Sequence, residues 1–273
     1  MDFSLSEERK MLQETVARFF ENNYKDIKKR GEYLDMNDGF SREFWKESSN
    51  LGVISGLVSP TFGGLGGSGE DISIIFELIG KSLCIEPFLS SGLLSSTVLS
   101  SIENPQTELI NQIVDGELLI SFAHMEMNNR YEDHFVETKA FLENDNWKLN
   151  GNKSFVINGD SADKVIVSAR IDGEINDKNG IGLFLVDTNQ ITSRSYNTID
   201  GYRAAELNYD NVNAELLCKD DLALECIIKA NSAGALALSA EAVGIMQVCF
   251  DLTLDYLKTR KQFGKSIGAF QSI

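Results

Sequence analysis

The chain has 273 residues, of which 42% are hydrophobic and 24% are charged, a composition that is ordinary for a globular protein. Its 41 acidic residues against 25 basic ones give a net charge of −16, which argues against nucleic-acid binding because that function needs a basic surface. The length allows one large domain or roughly two to three smaller ones.

The four cysteines and two histidines show no spacing typical of a metal site or a disulfide framework. Because the start of the chain is also unlike a secretory signal, we expect reduced thiols and a cytoplasmic protein. His124 and His134 have no cysteine or carboxylate cluster around them, so no metal ligand is assigned. The cysteines are Cys84, Cys218, Cys226 and Cys249.

Residues 1–116 are predicted to form a helical domain. Ser4 and Glu7 have the spacing of a capping box ahead of the first helix. A second helix is predicted from near Ser41 to Gly52, a third over 71–83, and a last one after Pro105.

A glycine-rich segment over 64–69 matches the pattern G-x-G-x-x-G of dinucleotide-binding sites. Residues 53–58 could be the strand that this pattern requires, and a helix follows from Asp71. However, no second parallel strand with an acidic residue follows, which that fold needs. The sequence therefore favours a flexible glycine loop between two helices.

Residues 117–221 are predicted to form a domain of short strands, because the hydrophobic period changes from about 3.6 to 2 near Leu118. Asn150-Gly151 predicts a hairpin turn between strands over 147–149 and 154–157. Strands joined by turns without intervening helices indicate an antiparallel sheet or barrel. Further strands are predicted over 135–142, 164–169, 182–186 and 206–209.

Residues 222–273 begin with a predicted helix that runs from about Asp220 to Lys258 and is apolar on most faces. Residues 230–250 approach the length of a membrane span, but Glu241 near mid-span favours a helix buried in a bundle, and no membrane partner is expected. The remaining residues are too few to cover this helix, so we expect aggregation or association through its exposed face. The apolar run before Ile273 stops within two turns, which suggests a fragment of a longer chain.

The segment Arg260-Lys-Gln-Phe-Gly264 follows this helix. A guanidinium can hold a pyrophosphate through two parallel hydrogen bonds, and the aromatic ring beyond it can stack on a planar ligand. Alternatively, Arg260 and Lys261 only complement the negative end of the helix dipole. Residue types alone leave both interpretations open.

Several motifs together are typical of one family. They are the start Met1-Asp-Phe-Ser-Leu-Ser-Glu-Glu, the 60–69 glycine loop, Leu149-Asn-Gly-Asn-Lys153, Ala242-Val-Gly244 and the run Arg260-Lys-Gln-Phe-Gly-x-x-x-Gly-x-Phe-Gln271. On these motifs the whole chain resembles the acyl-CoA dehydrogenase family. Further motifs are Arg130-Tyr131, Gly159-Asp160-x-Ala162-Asp163, Val167-Ser-Ala-Arg170, Asp200-Gly-Tyr-Arg-Ala-Ala205 and Ala240-Glu-Ala242. In these the chain resembles the small subunit of pimeloyl-CoA dehydrogenase and related heteromeric enzymes.

The resemblance implies an α+β fold: an N-terminal helical domain, a middle antiparallel β domain and the beginning of a C-terminal helical bundle. It also implies FAD as cofactor and an acyl-CoA substrate of fatty acid metabolism, oxidised at the α and β carbons. In that reaction a carboxylate base takes the α proton and the β hydrogen passes to the flavin as hydride. The cofactor contacts that the resemblance implies are Arg260, Gln262 and Phe263 across a subunit interface, with Phe270, Gln271, Glu126, Phe155, Val156 and Ile157.

The chain departs from the family at the flavin ring and at the base. The family's Thr-Glu-Pro becomes Met125-Glu126-Met127, and its Trp-Ile-Thr becomes 155–157, which ends in Ile157, so two hydroxyl contacts are lost. The base lies beyond Ile273 in most members and matches Gly234 in others, so no catalytic residue is assigned. Glu241 lies about two turns from that place, and we predict a structural role for it.

Two hypotheses follow. In the first, the chain is a non-catalytic small subunit that pairs with a homologous large dehydrogenase subunit, or with itself, and supplies half of an FAD-binding interface. In the second, the chain is a structural homologue that has lost FAD binding. A dehydrogenase that is active alone ranks third, because the sequence supplies no base for it.

Overall fold

The structure, a computed structural model, describes residues 5–24, 26–129 and 131–270. Its first part is helical, as predicted, with a π-helical segment, Phe88–Ser95, running into the fifth helix. The helices are α1 (Glu7–Tyr24), α2 (Ile27–Leu34), α3 (Arg42–Asn50), α4 (Gly69–Ser82), α5 (Ser96–Ser101) and α6 (Thr107–Val114). The sequence analysis did not anticipate α2, the π-helical segment or α5.

Serine hydroxyls cap the N-termini of α1, α3 and α4. The Ser41 hydroxyl accepts a hydrogen bond from the backbone N–H of Phe44 at 3.1 Å, so α3 starts where it was predicted. A full capping box, with Ser68 and Asp71, opens α4. At α1 the cap is Ser6, which accepts from the N–H of Arg9 at 3.3 Å, whereas the predicted cap, Ser4, lies outside the described residues.

The dinucleotide-binding interpretation of the glycine-rich segment is wrong. Residues 53–58 contain a 3₁₀ turn, Ser55–Leu57, instead of a strand. The glycine loop is also more ordered than predicted, because its backbone bonds to this turn, with Leu65 N–H donating to the Ser55 carbonyl at 2.8 Å. A Cβ on Gly64 would lie 1.8 Å from the Val58 carbonyl oxygen, so the glycine serves close backbone packing.

The middle part is a seven-stranded sheet in the order β1-β4-β2-β3-β7-β5, with β6 on β7. Because β5 also pairs with β4, the strands close into a barrel. Most pairs are antiparallel, as predicted, but β1 runs parallel to β4 and β2 makes one parallel bridge to it. The strands are β1 (Ile120–Ala123), β2 (Lys139–Glu143), β3 (Asn146–Ile157), β4 (Lys164–Arg170), β5 (Ile181–Asp187), β6 (Thr192–Asn197) and β7 (Arg203–Lys219).

The prediction of a hairpin turn at Asn150-Gly151 is wrong, because both residues lie inside β3. The turn is at Asn144-Asp145, whose φ angles of 49° and 63° are left-handed. Gly151 instead sits at a register shift against β7, with a φ of 145°. A Cβ there would lie 2.7 Å from the Thr138 Cα, so this bulge requires glycine.

The last part is the helix α7 (Asp221–Thr259), which packs along α4. It is long and apolar enough to cross a membrane by length and composition alone. Its buried residues are mostly small and lie on one side, and the predicted exposure of a large apolar face is confirmed. The exposed apolar residues are Ile228, Leu236, Leu238, Val243, Met246, Phe250, Leu252, Leu254 and Tyr256.

Two glycines bring the backbones of α4 and α7 into contact. A Cβ on Gly244 would lie 2.0 Å from the Glu77 carbonyl oxygen, and one on Gly80 would lie 2.0 Å from the Glu241 carbonyl oxygen. Gly244→Ala is expected to lower the free energy of unfolding by about 3 kcal/mol, because the added methyl must push two helices apart. Chemical denaturation measures this loss.

Gly234→Ala is the matched control on the same helix, since a Cβ there would lie 3.0 Å from the end of the Leu94 side chain, which can move. Its expected effect is below about 1 kcal/mol. Equal losses of stability in the two variants would contradict the close helix crossing.

Glu86 is a carboxyl group buried in the helical part, with an exposed fraction of 1%. Tyr24 donates a hydrogen bond to its Oε2 at 2.6 Å, while Oε1 has no partner among the described residues. Burial raises the pKa of Glu86 to about 7. The protonated form is therefore the one that the fold favours.

The sign of the resulting pH dependence follows from linkage. A raised carboxyl pKa stabilises the fold fully below the ordinary pKa of about 4.5, and this contribution is lost as pH rises through about 7. Between pH 5 and pH 8 the wild type should lose about 2 kcal/mol that Glu86→Gln keeps, measured by urea unfolding at each pH. Glu21→Gln, on the exposed side of α1, is the control and should follow the wild type. Parallel curves for wild type and Glu86→Gln would contradict the assignment.

Candidate functional site

Two adjoining cavities lie where the π-helical segment, the barrel and α7 meet. The barrel-side cavity has a volume of about 370 Å³. Phe122 and Phe155 line this cavity and not the other one. The α7-side cavity has a volume of about 360 Å³. Both volumes are in the range of small-molecule sites. The residues shared by both cavities are Leu94, His124, Met125, Tyr131, Ile157 and Asn231, and those of the α7-side cavity alone are Leu89, Asn129, Asp133, Gly234, Ala235 and Leu238.

A chain of buried polar side chains supports the barrel side of these cavities. The Lys153 ammonium donates to Glu126 Oε1 at 2.5 Å and to Ser168 Oγ at 2.9 Å. Ser168 Oγ in turn lies 2.9 Å from His124 Nδ1. His124 is 5% exposed, and its other ring nitrogen, Nε2, has no hydrogen-bond partner within the described part of the chain. This series of hydrogen bonds therefore ends in an unpaired, buried nitrogen of a residue that lines both cavities.

Glu126 does not line either cavity. Its Oε2 accepts from the N–H of Glu137 at 2.6 Å, and its Oε1 accepts from the N–H of Thr138 at 3.0 Å and from Lys153. Burial works to raise the pKa of Glu126, but the charge of Lys153 and these hydrogen bonds outweigh it and hold the pKa below its ordinary value. The side chain links Glu126 to the backbone at residues 137–138, and a cofactor contact from this residue stays a prediction.

The three neighbouring residues predicted at the flavin ring face different ways. Phe155 and Ile157 line the barrel-side cavity, whereas Val156 is 1% exposed and lies in the barrel core. β3 shifts register between Lys153 and Val156, and Phe155 has a φ of 52°. Such left-handed backbone at a bulky residue persists only where the surrounding structure holds it. The bulge therefore aims Phe155 at the cavity.

The predicted residues after α7 lie on an exposed hairpin, with strands β8 (Lys261–Gln262) and β9 (Lys265–Ser266). Phe263 in its turn is 93% exposed, and Phe270 packs near it with ring centroids 6.4 Å apart. The Arg260 side chain is exposed as well, and neither cavity is lined by the hairpin. Gln271 lies outside the described residues.

The hairpin carries its cations close to its aromatic and amide groups. Lys265 Nζ is 4.2 Å from the centroid of the Phe270 ring. With the Gln262 amide oriented so that its oxygen faces Arg260, that oxygen accepts from the guanidinium at 2.9 Å. The predicted site residues thus fall into two groups, one in the cavity wall and one on a solvent-facing hairpin.

Gly234, the position that would carry a base in some relatives, lies in the wall of the α7-side cavity. Among the described lining residues the only carboxylate is Asp133, whose Oδ1 accepts from Asn231 at 2.6 Å. Glu241 is outside the cavity wall, with Oε1 3.5 Å from the Tyr202 hydroxyl, and burial raises its pKa to about 6. Its surroundings agree with a structural role.

His124, Asp133 and Asn231 were not predicted as site residues. A signal existed for His124, because it is two residues from Glu126, where the resemblance implied a cofactor contact. Asp133 and Asn231 are 98 residues apart in sequence, and their pairing has no sequence pattern that points to it.

Three family models match the chain in order. The model described as acyl-CoA dehydrogenase, N-terminal domain, matches residues 6–108, the middle-domain model matches residues 121–212, and the C-terminal-domain model matches residues 224–273. The chain is 30% identical over 286 residues to the probable acyl-CoA dehydrogenase YngJ of Bacillus subtilis. The alignment covers 100% of this chain and 74% of that protein.

Solved structures have the same fold. The ChsE4-ChsE5 complex from Mycobacterium tuberculosis matches with a TM-score of 0.85 and 22% identity, over 100% of this chain and 72% of that one. The FAD complex of PigA matches with a TM-score of 0.87 and 24% identity, over 100% of this chain and 74% of that one. The predicted three-part α+β architecture is confirmed.

Proposed function

This chain belongs to the acyl-CoA dehydrogenase family, and on that premise we propose that it is a non-catalytic subunit of a flavin-dependent acyl-CoA dehydrogenase. In this proposal it pairs with a homologous catalytic subunit and contributes residues to FAD binding. The observation that carries the proposal is the wall of the α7-side cavity, where Gly234 provides no base and Asn231 already engages the carboxylate of Asp133. The small subunits of pimeloyl-CoA dehydrogenase-like enzymes are the relatives whose role it would share.

The barrel-side cavity fits the ring system of FAD. Its lining is mostly apolar, with Phe122, Phe155 and Ile157 available to pack on a flat aromatic ring. The unpaired Nε2 of His124 is a polar atom that such a ring, with its polar edge atoms, can satisfy. When bound, FAD supplies the acceptor for the hydride that leaves the β carbon of the acyl group.

The exposed hairpin fits the pyrophosphate end of a cofactor held across a subunit interface. Arg260 and Lys265 provide positive charge in a protein of net charge −16, and Phe263 offers an aromatic face to solvent. A guanidinium binds phosphate oxygens through paired, charge-assisted hydrogen bonds. Because the hairpin does not line this chain's own cavities, the cofactor that it contacts would be the one in the partner's cavity.

The apolar face of α7 supports association with another subunit. Met246, Phe250 and Leu252 are each more than half exposed on one helix. An exposed apolar surface of this kind marks a contact surface, which another subunit or further sequence of the C-terminal domain would cover. The ChsE4-ChsE5 complex, which shares the fold, joins two different chains, and we propose the same arrangement here over a homo-oligomer.

The test is to mix the chain with FAD and candidate large dehydrogenase subunits, and to follow bleaching of the flavin absorbance on addition of butyryl-CoA and longer acyl-CoAs. The proposal expects bleaching by the complex and none by this chain with FAD alone. Asp133→Asn in this chain should leave the rate unchanged. Rapid bleaching by the isolated chain, or loss of bleaching in the Asp133→Asn complex, would overturn the non-catalytic role.

The alternative function is a structural homologue without FAD. It is favoured by Met125 and Ile157, which replace the hydroxyl-bearing residues at the ring, since each unpaired flavin atom costs about 1–3 kcal/mol. A colourless complex with every large subunit tested would support this alternative.

A further inference from the structure

We propose that His124 is a cofactor-positioning residue, which donates a hydrogen bond from a neutral imidazole Nε2–H to an acceptor atom at the edge of the flavin ring. This inference rests on the proposed function and deepens it, because it names the group that compensates for the missing hydroxyls at Met125 and Ile157. It differs from the contacts implied by the family resemblance, which assigned nothing to His124.

The His124 side chain has the properties of a ligand-binding group. His124 is 5% exposed, it lines both cavities, and its Nε2 has no partner among residues 5–24, 26–129 and 131–270. Buried polar atoms are nearly always hydrogen-bonded, so an unpaired nitrogen on a residue that lines the cavities needs an explanation. A ligand atom in the barrel-side cavity provides one.

The tautomer of His124 follows from the donors behind it. Lys153 is fully buried and is a donor only, and its ammonium donates to Glu126 Oε1, to Ser168 Oγ and to the His124 carbonyl oxygen. Ser168 Oγ accepts from Lys153, and within the described part of the chain His124 Nδ1, 2.9 Å away, is the one acceptor that its own hydroxyl hydrogen reaches. We therefore assign Nδ1 as the acceptor of that hydrogen, which places the ring hydrogen on Nε2.

The charge of the ring follows from the same neighbours. Burial, followed by the positive charge of Lys153, lowers the pKa of His124 to about 3, although Glu126 acts in the opposite direction. The imidazole is therefore neutral in the physiological range, and the cavity receives one N–H donor without charge.

This donor selects the chemistry of the ligand. A nitrogen that carries hydrogen has no lone pair for a metal ion and is mismatched with another donor. It suits a carbonyl oxygen or an unprotonated ring nitrogen, and the flavin ring has both along its edge. The apolar neighbours Phe122, Phe155 and Ile157 hold such a ring, and His124 fixes its position.

The first test needs no cofactor. The chain has two histidines, so the ¹⁵N spectrum of histidine-labelled protein at pH 7 contains two imidazoles, and the His134→Gln variant assigns them. We expect the neutral Nε2–H form for His124. A charged ring, or an Nδ1–H ring in the wild type, would overturn the proposal.

The second test measures FAD affinity of the complex with its large subunit by flavin fluorescence. His124→Leu should weaken FAD binding about tenfold, since it removes one buried donor, and His124→Gln, which keeps an N–H near the Nε2 position, should restore most of it. His134→Leu is the matched control and should bind FAD as the wild type does. Unchanged affinity in His124→Leu overturns this inference alone, whereas absence of FAD binding in the wild-type complex overturns the proposed function and the inference with it.

Discussion

Lys153→Met is expected to lower the free energy of unfolding by about 3–5 kcal/mol, the largest stability effect we predict for a single substitution. The Lys153 and Glu126 side chains are 0% and 2% exposed, so the variant leaves a carboxylate buried without its counter-charge. Two backbone N–H donors remain to Glu126, from Glu137 and Thr138, and they offset only part of the loss. Urea or guanidinium unfolding measures the difference.

Two further variants separate charge from packing. Lys164→Met breaks the ion pair with Asp187, whose side chain is 48% exposed, and should change stability by less than about 1 kcal/mol. Adding Glu126→Gln to Lys153→Met removes the uncompensated charge and should recover part of the lost stability. A double variant as unstable as Lys153→Met would contradict the buried charge as the cause.

Arg260→Ala is expected to weaken FAD binding by the assembled complex by about 2 kcal/mol or more, which is about 30-fold in Kd. The guanidinium is exposed and meets no carboxylate among the described residues, so its truncation disturbs little of the fold. Flavin fluorescence quenching gives the affinity, and thermal unfolding of the isolated chain gives the stability.

The same pair of measurements decides between phosphate binding and a helix-dipole role for Arg260. If the residue only complements the dipole, Arg260→Ala and Lys258→Ala should both lower stability slightly and leave FAD affinity unchanged. If Arg260 binds the pyrophosphate, Arg260→Ala should lower FAD affinity and Lys258→Ala should not. Lys258 is the matched control because it lies in the last turn of α7.

The outline of the fold could be read from the sequence because its local signals are strong. The cap at Ser41, the helix predicted over 71–83 and found over Gly69–Ser82, and the end of α7 near Lys258 depend on a few neighbouring residues. The prediction of a hairpin turn at Asn150-Gly151 was wrong because this residue pair suits a β-bulge as well as a turn. Only the register of β3 against β7 distinguishes the bulge from the turn. The parallel pairing of β1 with β4 likewise has no local signature.

The candidate site was predictable only in part. Phe155 and Ile157 were found through the family resemblance, and the alternation of strand side chains agrees with Val156 lying on the opposite, core side. The role of His124 depends on Lys153 and Ser168, which are 29 and 44 residues away in sequence. A series of hydrogen bonds that joins β3, β4 and the residue after β1 becomes visible only once the barrel is closed.

The central claim is that this chain takes part in flavin binding and needs a partner to complete a dehydrogenase. The most direct measurement is an FAD titration of the purified chain, of a candidate large subunit and of their mixture, with bound flavin counted per subunit after gel filtration. The account predicts a stable mixed complex that holds more FAD than the two components bind separately. A mixture that elutes as separate proteins, or a complex without flavin, would contradict it.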